Sequence, residues 1–286
     1  MKKKMFLLLI MIVLFTGCIK VNDMDDIDII TTIYPIEYVS NRIYGEHSNI
    51  SSIYARGTNT KEVEFTNKQL NDFANYDLFI YNSESGEREY ATYMLNQNKK
   101  LKIIDASYGL EITSSTYDIW SNPANILMIA QNIKDELDVY INNEYLKREI
   151  NENYETLKVD ISELESEFKR TADNSINQTI IVNDEALLFL RKYGFNVINL
   201  TENGQIKEND LEMVKNLFKN NEVSYVFVHE FETNTTALEE LINNYGAKEK
   251  TFKLLETITE EDLESNEDYL SIMHKNIEAL KEETYK

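Results

Sequence analysis

The chain has 286 residues, 42% of them hydrophobic, and a net charge of −21 at pH 7. That length accommodates two α/β lobes of ordinary size, and the apolar fraction belongs to a globular protein rather than a disordered one. The acidity excludes nucleic-acid binding, which needs clustered Lys and Arg; it serves solubility and at most concentrates cations at the surface. A single cysteine excludes an internal disulfide and a thiolate zinc cluster.

At the N-terminus, Lys2, Lys3 and Lys4 precede an unbroken apolar run at 5–15, and Thr16-Gly17-Cys18 follow. The run falls short of the roughly 20 residues a membrane span needs but suits the hydrophobic region of an export signal. The placement of Cys18 resembles a bacterial lipobox, with Phe15 where that pattern prefers Leu. The resemblance implies cleavage before Cys18 and lipid attachment to it. Residues 1–17 are thus expected to be a signal peptide and 18–26 the lipid anchor and a polar tether. The body is expected on the outer face of the cell membrane, held to it by the lipid on Cys18. No later apolar stretch approaches membrane-spanning length.

From residue 27, strand and helix patterns alternate. Strands are predicted at 27–32, 50–55, 78–81 and 101–105, and helices at 36–43, 67–73 and 89–95, an order that gives a parallel sheet with helices on both faces. Asn122-Pro123 then reads as a helix start, a capping Asn before Pro at the first helical position. Ile126, Ala130, Ile133 and Leu137 repeat at helical spacing. Ile150, Tyr154, Leu157, Ile161, Leu164 and Phe168 mark a second, longer helix with one narrow apolar stripe. Such a stripe serves either a helix packed along its own protein or a coiled-coil seam, for which it is short. Alternation resumes with strands at 179–182, 196–200, 223–228 and 250–255 and helices at 185–193, 209–218, 236–243 and 268–281. The predicted fold is α/β: an N-terminal lobe at 27–121, a helical linker at 122–174 containing a long backbone helix, and a C-terminal lobe at 175–286. Ligands of parallel sheets sit at the carboxyl ends of strands, so the expected site is the cleft between the lobes. The long helix is expected to act as a stiff hinge that opposes large lobe closure.

Several segments resemble a known family. Thr31-Thr32-Ile33-Tyr34-Pro35-Ile36 is similar to its opening strand and T-x-Y-P turn. Asn75 through Asn82 is similar to its "ADLFVYNG" strand, and Asp118-Ile119-Trp120-Ser121-Asn122-Pro123 to H-x-W-L-D-P. Asp268-Tyr269-Leu270 through Leu280 is similar to its closing helix. The sole tryptophan and both prolines fall on these motifs. The family is that of zinc- and manganese-binding lipoproteins serving ABC importers, the helical-backbone class of solute-binding proteins. The resemblance covers most of 27–284. It implies a monomeric binding subunit that works with an ABC permease and its ATPase and carries zinc or manganese as transported ligand.

The ligand set implied by that resemblance is altered. The family holds its metal with three His and one carboxylate. Here Lys61 stands in the loop position of the first His, next to Glu62; Asp118 replaces the second, Asn183 the third, and Glu256 aligns with the carboxylate. His47, His229 and His274 lie elsewhere. Zinc favours imidazole and thiolate, whereas oxygen donors suit harder cations. An ammonium at Lys61 would stand in the cation's own place. Three readings follow: Lys61 neutralises Asp118 and Glu256, the pocket takes another solute, or a metal site persists with Asp118, Glu256, His229 and Glu230 as donors. No phosphate loop, nucleophile elbow or H-E-x-x-H motif indicates an enzyme. The function expected is an extracytoplasmic solute-binding lipoprotein of a divalent-metal importer; the alternative is a cell-surface interaction protein that has lost metal binding.

Overall fold

The computed structural model describes residues 24–110, 119–202, 205–232 and 234–286. Cys18 and Asp118, and with them the expected leader and lipid anchor, lie outside the described residues.

The N-terminal lobe is a four-stranded parallel sheet of β1 (Ile27–Thr31), β2 (Ser48–Ser52), β3 (Leu78–Tyr81) and β4 (Lys102–Asp105), ordered β2-β1-β3-β4. Helices α1 (Tyr34–Tyr44), α2 (Asn67–Phe73) and α3 (Glu87–Gln97) connect the strands. β3 is buried at all four positions, as expected of a strand covered on both faces. Pro35 sits in the first turn of α1, where its missing N–H costs nothing. Thr66 and Gln69 close α2 with a reciprocal capping box.

Two antiparallel helices follow. α4 (Pro123–Tyr140) starts on Asn122, whose side chain accepts the Ala124 N–H at 3.2 Å. α5 (Glu144–Asp173) has 30 residues and is therefore about 45 Å long. Its stripe of Ile150, Tyr154, Leu157, Ile161, Leu164 and Phe168 is buried against the protein's own body, which settles the two uses open to it in favour of packing rather than a coiled coil. Both lobes are also tied to α5 by charge. Arg42 of α1 meets Asp160 at 2.5 Å, and His274 and Lys281 of the last helix meet Glu167 at 2.7 and 3.0 Å.

The C-terminal lobe repeats the first. Strands β5 (Thr179–Val182), β6 (Asn196–Asn199), β9 (Tyr225–Val228) and β10 (Lys248–Thr251) form a parallel sheet ordered β10-β9-β5-β6. Numbered from the first strand of each lobe, both sheets have the order 2-1-3-4. A two-residue hairpin of β7 (Thr201–Glu202) and β8 (Gln205–Ile206) interrupts the second lobe. Helices α6 (Glu208–Lys219), α7 (Thr236–Tyr245), α8 (Glu260–Glu264) and α9 (Tyr269–Thr284) complete it. One apolar cluster runs without a break from Met24 through β1, α5 and β5 to Leu280, so the lobes share a core.

The strand predicted at 50–55 lies at 48–52, the hairpin of β7 and β8 was not expected, and two further elements depart from expectation. Residues 185–193, predicted as an α-helix, form a 3-10 helix, Glu185–Tyr193. Its buried Leu187, Leu190 and Tyr193 recur every third residue, the period of that tighter helix. The strand predicted at 250–255 is displaced: β10 ends at Thr251, and Leu255 has φ +67°. That left-handed conformation is unfavourable for a bulky residue and incompatible with a strand.

Candidate functional site

Between the lobes lies a cavity of about 450 Å³. Its walls come from chain segments that leave the carboxyl ends of strands. Ile33 follows β1, Tyr54 follows β2, and Glu84, Ser85, Gly86 and Glu87 follow β3. Trp120 enters just before α4, Thr60 and Lys61 come from the loop after β2, and Glu256 comes from the other lobe after β10.

Glu256 is positioned by an unusual loop. Glu230, just past β9, accepts the Leu254 N–H at 2.8 Å and the Leu255 N–H at 2.9 Å, one on each carboxylate oxygen. These bonds hold the left-handed turn at Leu255. The segment beyond docks on the N-terminal lobe. The Tyr34 N–H donates to the Glu256 carbonyl at 3.0 Å, the Thr257 hydroxyl to the Thr58 carbonyl at 3.0 Å, and the Gly57 N–H to the Ile258 carbonyl at 3.0 Å. The Thr60 hydroxyl donates to a Glu256 side-chain oxygen. The Glu256 residue is 5% exposed, so this carboxylate of the second lobe is embedded in the wall of the first. Strain concentrated beside a site residue and held by surrounding bonds is a recurrent property of binding sites.

Across the cavity stands Glu87, at the first position of α3 and 1% exposed. Its carboxylate accepts the Asn82 N–H at 2.9 Å and the Tyr54 hydroxyl at 3.1 Å. Burial outweighs these bonds and pushes its pKa up to about 7. The Tyr54 hydroxyl in turn is driven far above its ordinary range by burial and by the neighbouring Glu87 charge. Trp120 is 1% exposed and its indole N–H has no acceptor among the described residues.

Sequence reasoning names Lys61 and Glu256, and the fold brings both to this cavity. Glu62 points elsewhere: it is exposed and accepts the Asn59 side-chain amide at 3.1 Å. Asn183, His229 and Glu230 do not line the cavity. Asn183 is 2% exposed and donates to Glu232 at 2.5 Å while accepting the Thr235 hydroxyl at 2.9 Å. His229 lies 4.0 Å from Asp184, and its Nδ1 accepts the Phe231 N–H at 3.3 Å. Both oxygens of Glu230 are engaged by the Leu254 and Leu255 N–H groups, which makes it a support of Glu256 rather than a metal donor. His47 and His274 pair with Asp25 and Glu149, and with Glu167, remote from the cleft. No imidazole lines the cavity. Among the described residues, no group of three or more His, Cys, Asp or Glu side chains is arranged to hold a metal ion.

Sequence reasoning missed Glu87 and the role of Trp120 in the wall. The signal for Glu87 was present: Gly86-Glu87 follows a fully apolar strand, at the strand end where such folds bind ligands.

Comparisons with known proteins agree with this architecture. The family model described as "ZnuA: Zinc-uptake complex component A periplasmic" matches residues 29–283. The zinc-binding lipoprotein AdcA of Streptococcus pneumoniae (strain ATCC BAA-255 / R6) is 24% identical over 90% of this chain and 56% of its own length. The chain thus spans little more than half of that relative. The high-affinity zinc uptake system protein ZnuA of Bacillus subtilis (strain 168) is 23% identical over 90% of this chain and 88% of its own. Among solved structures, the Zn(II)-bound ZnuA-like domain of Streptococcus pneumoniae AdcA superposes with a TM-score of 0.74. It is 22% identical and covers 91% of this chain and 100% of that one.

Proposed function

The chain belongs to the zinc-uptake complex component A family, and from that premise we propose that it is the extracytoplasmic solute-binding subunit of an ABC importer for a divalent cation. The cargo sits in the cavity between the lobes and passes to a permease driven by its ATPase. A lipid on Cys18 tethers the body to the outer face of the membrane. Among the described residues, no helix is long and apolar enough to cross a membrane.

The observation that carries this reading is the convergence of two buried carboxylates, Glu87 from one lobe and Glu256 from the other, on one cavity. Buried carboxylates are costly unless a cation or donors compensate them. Their oxygens suit a hard cation better than the imidazole-loving zinc ion. Lys61, at the same cavity, lowers the local negative charge and with it the affinity for a bare ion. The alternative, a surface protein that has lost its ligand, is not favoured, because the family match and the cavity both point to a binder. Its role is to bind rather than to catalyse.

The test is elemental analysis of the purified protein together with thermal-shift titration against zinc and manganese. A ligand that binds only the folded state raises the melting temperature by mass action. Copurified metal, or a rise at micromolar metal that Glu256→Gln removes, is the expected result. No metal and no rise in a protein that melts cooperatively would overturn the reading.

A further inference from the structure

The chain enters the first lobe at a pole remote from the cavity. Met24 is buried, and its carbonyl accepts the Tyr44 hydroxyl. The Asp26 N–H donates to the His47 carbonyl at 2.9 Å. His47 itself stands between two carboxylates, its Nδ1 3.0 Å from Asp25 and its Nε2 3.1 Å from Glu149 of α5. The entry segment is thus fixed to the start of the backbone helix, beside the amino end of β1, whereas the cavity lies at the carboxyl ends of the strands. Met24 is the sixth residue after Cys18, so the intervening chain spans at most ~20 Å. A lipid on Cys18 keeps this pole within that distance of the membrane.

The same pole exposes side chains suited to a lipid interface. Tyr145 lies one turn before Glu149 on the same face of α5. It is 59% exposed, and the Arg148 guanidinium lies 5.3 Å from its ring centre. The ion pair of Arg148 with Glu152 is long, at 4.0 Å. Val139, in the last turn of α4 just before the connection to α5, is 72% exposed. A tyrosine ring favours headgroup depth, with its apolar body in lipid and its hydroxyl in water. A guanidinium pairs with phosphate oxygens while its stem covers apolar surface. Exposure alone decides nothing, since Ile176, just past the far end of α5, is 76% exposed. The first pole is singled out by the anchor within its reach. Asp25, Glu144 and Glu152 surround it and oppose binding of the free body to anionic lipid. The contact therefore depends on the high local concentration that a tether supplies.

We propose that this pole docks on phospholipid headgroups, with Tyr145 and Val139 entering the interface and Arg148 meeting phosphate. The inference rests on the reading of Cys18 as lipid-bearing and adds an orientation to it. The body stands on its first lobe with α5 rising from the membrane. The cavity is then held roughly 20 Å above the lipid, about half the length of α5.

The test uses the full lipidated chain on vesicles of phosphatidylcholine and phosphatidylglycerol. Cys18 is the sole cysteine and its sulfur carries the lipid, so a cysteine introduced elsewhere is the only one to take an environment-sensitive fluorophore. Val139→Cys marks the first pole and Ile176→Cys the other. The expected result is a blue shift of the label in Val139→Cys and its quenching by spin-labelled phospholipid, with neither effect in Ile176→Cys. Adding Tyr145→Ser and Arg148→Ser to Val139→Cys is expected to abolish the quenching. Flotation with the vesicles and melting temperature should not change, because both residues are exposed. Cys18→Ser is expected to abolish flotation and quenching together. Equal quenching at both poles, or none at either in a protein that floats, would overturn the docking and leave the lipid anchor standing. Quenching that survives Tyr145→Ser with Arg148→Ser would overturn the contacts assigned here. A parent chain that does not float would overturn the anchor reading and the docking with it.

Discussion

The two lobes share one sheet topology, and they use its most valuable position in opposite ways. In a 2-1-3-4 order, the crevice between the ends of strands 1 and 3 is where chain connections diverge and a ligand can enter. In the first lobe that crevice, between β1 and β3, opens on the cavity, and Glu87 lines it. In the second lobe the corresponding crevice, between β5 and β9, is filled. Glu232 accepts the Asn183 amide at 2.5 Å and the His229 N–H at 3.1 Å, and Thr235 closes the remaining Asn183 oxygen at 2.9 Å. Both carboxylates have a pKa pushed up to about 7 by burial. A perturbed carboxyl alone therefore does not mark a site; the space in front of it does.

Four experiments sharpen this contrast. The largest effect is expected at Glu230, which leaves the closed crevice to shape the open one. Glu230→Ala strands the Leu254 and Leu255 N–H groups and releases the strained turn, at a cost of about 3 kcal/mol. Urea denaturation is expected to show a lower midpoint, and calorimetry a matching loss of cation affinity. A drop in stability with affinity intact would separate Glu230 from the site.

The second concerns pH. Glu87 has an ordinary pKa near 4.5 when unfolded and about 7 when folded, so the folded state holds its proton more tightly. Stability is then greatest below pH 4.5, falls as pH rises to about 7 and is flat above. Glu87→Gln is expected to gain about 2 kcal/mol relative to the parent between pH 5 and pH 8, read from paired melting curves. Glu232→Gln should gain a comparable amount, since burial also raises its pKa to about 7, but only Glu87→Gln should change cation affinity. A loss of cation affinity in Glu232→Gln would erase the distinction between the crevices.

The third is Lys61→His. Exchanging an ammonium for a neutral nitrogen donor at the cavity is expected to strengthen zinc binding about tenfold or more, measured by competition with a chromogenic chelator. Unchanged affinity would mean that Lys61 stands too far from the cation. The smallest effect is expected where the first lobe meets α5. Arg42→Met breaks a pair whose side chains are 28% and 33% exposed, and is expected to cost under about 1 kcal/mol. A larger loss in thermal melts would make that pair a principal anchor of the lobe.

The sequence made most of the fold legible because each element carried its own period. β3 and β5 were bounded correctly by apolar runs, and α4 by its Asn-Pro start. The hairpin of β7 and β8 was invisible, since strands of two residues have no period. The C-terminal bound of β10 failed for a different reason. Phe252, Leu254 and Leu255 are apolar because they are buried, yet they lie in a loop held by Glu230, 24 residues earlier for the nearer contact. The site was half legible. Lys61 and Glu256 followed from the resemblance to the family's ligand positions, whereas the burial of Glu87 and the unmatched indole of Trp120 depend on how the fold surrounds each side chain, a property no local pattern encodes.

The unbroken core has a consequence for how this molecule comes apart. With Ile180 and Val182 of one sheet and Ile29 and Ile30 of the other in the same apolar cluster, the first lobe has no interior apart from the second, whereas the far side of the second lobe, around Leu211, Val226 and Leu238, packs as a cluster of its own. A protease cut in the linker would not liberate a competent first lobe, and amide exchange should report one cooperative unit over the shared cluster, with the separate cluster of the second lobe opening on its own.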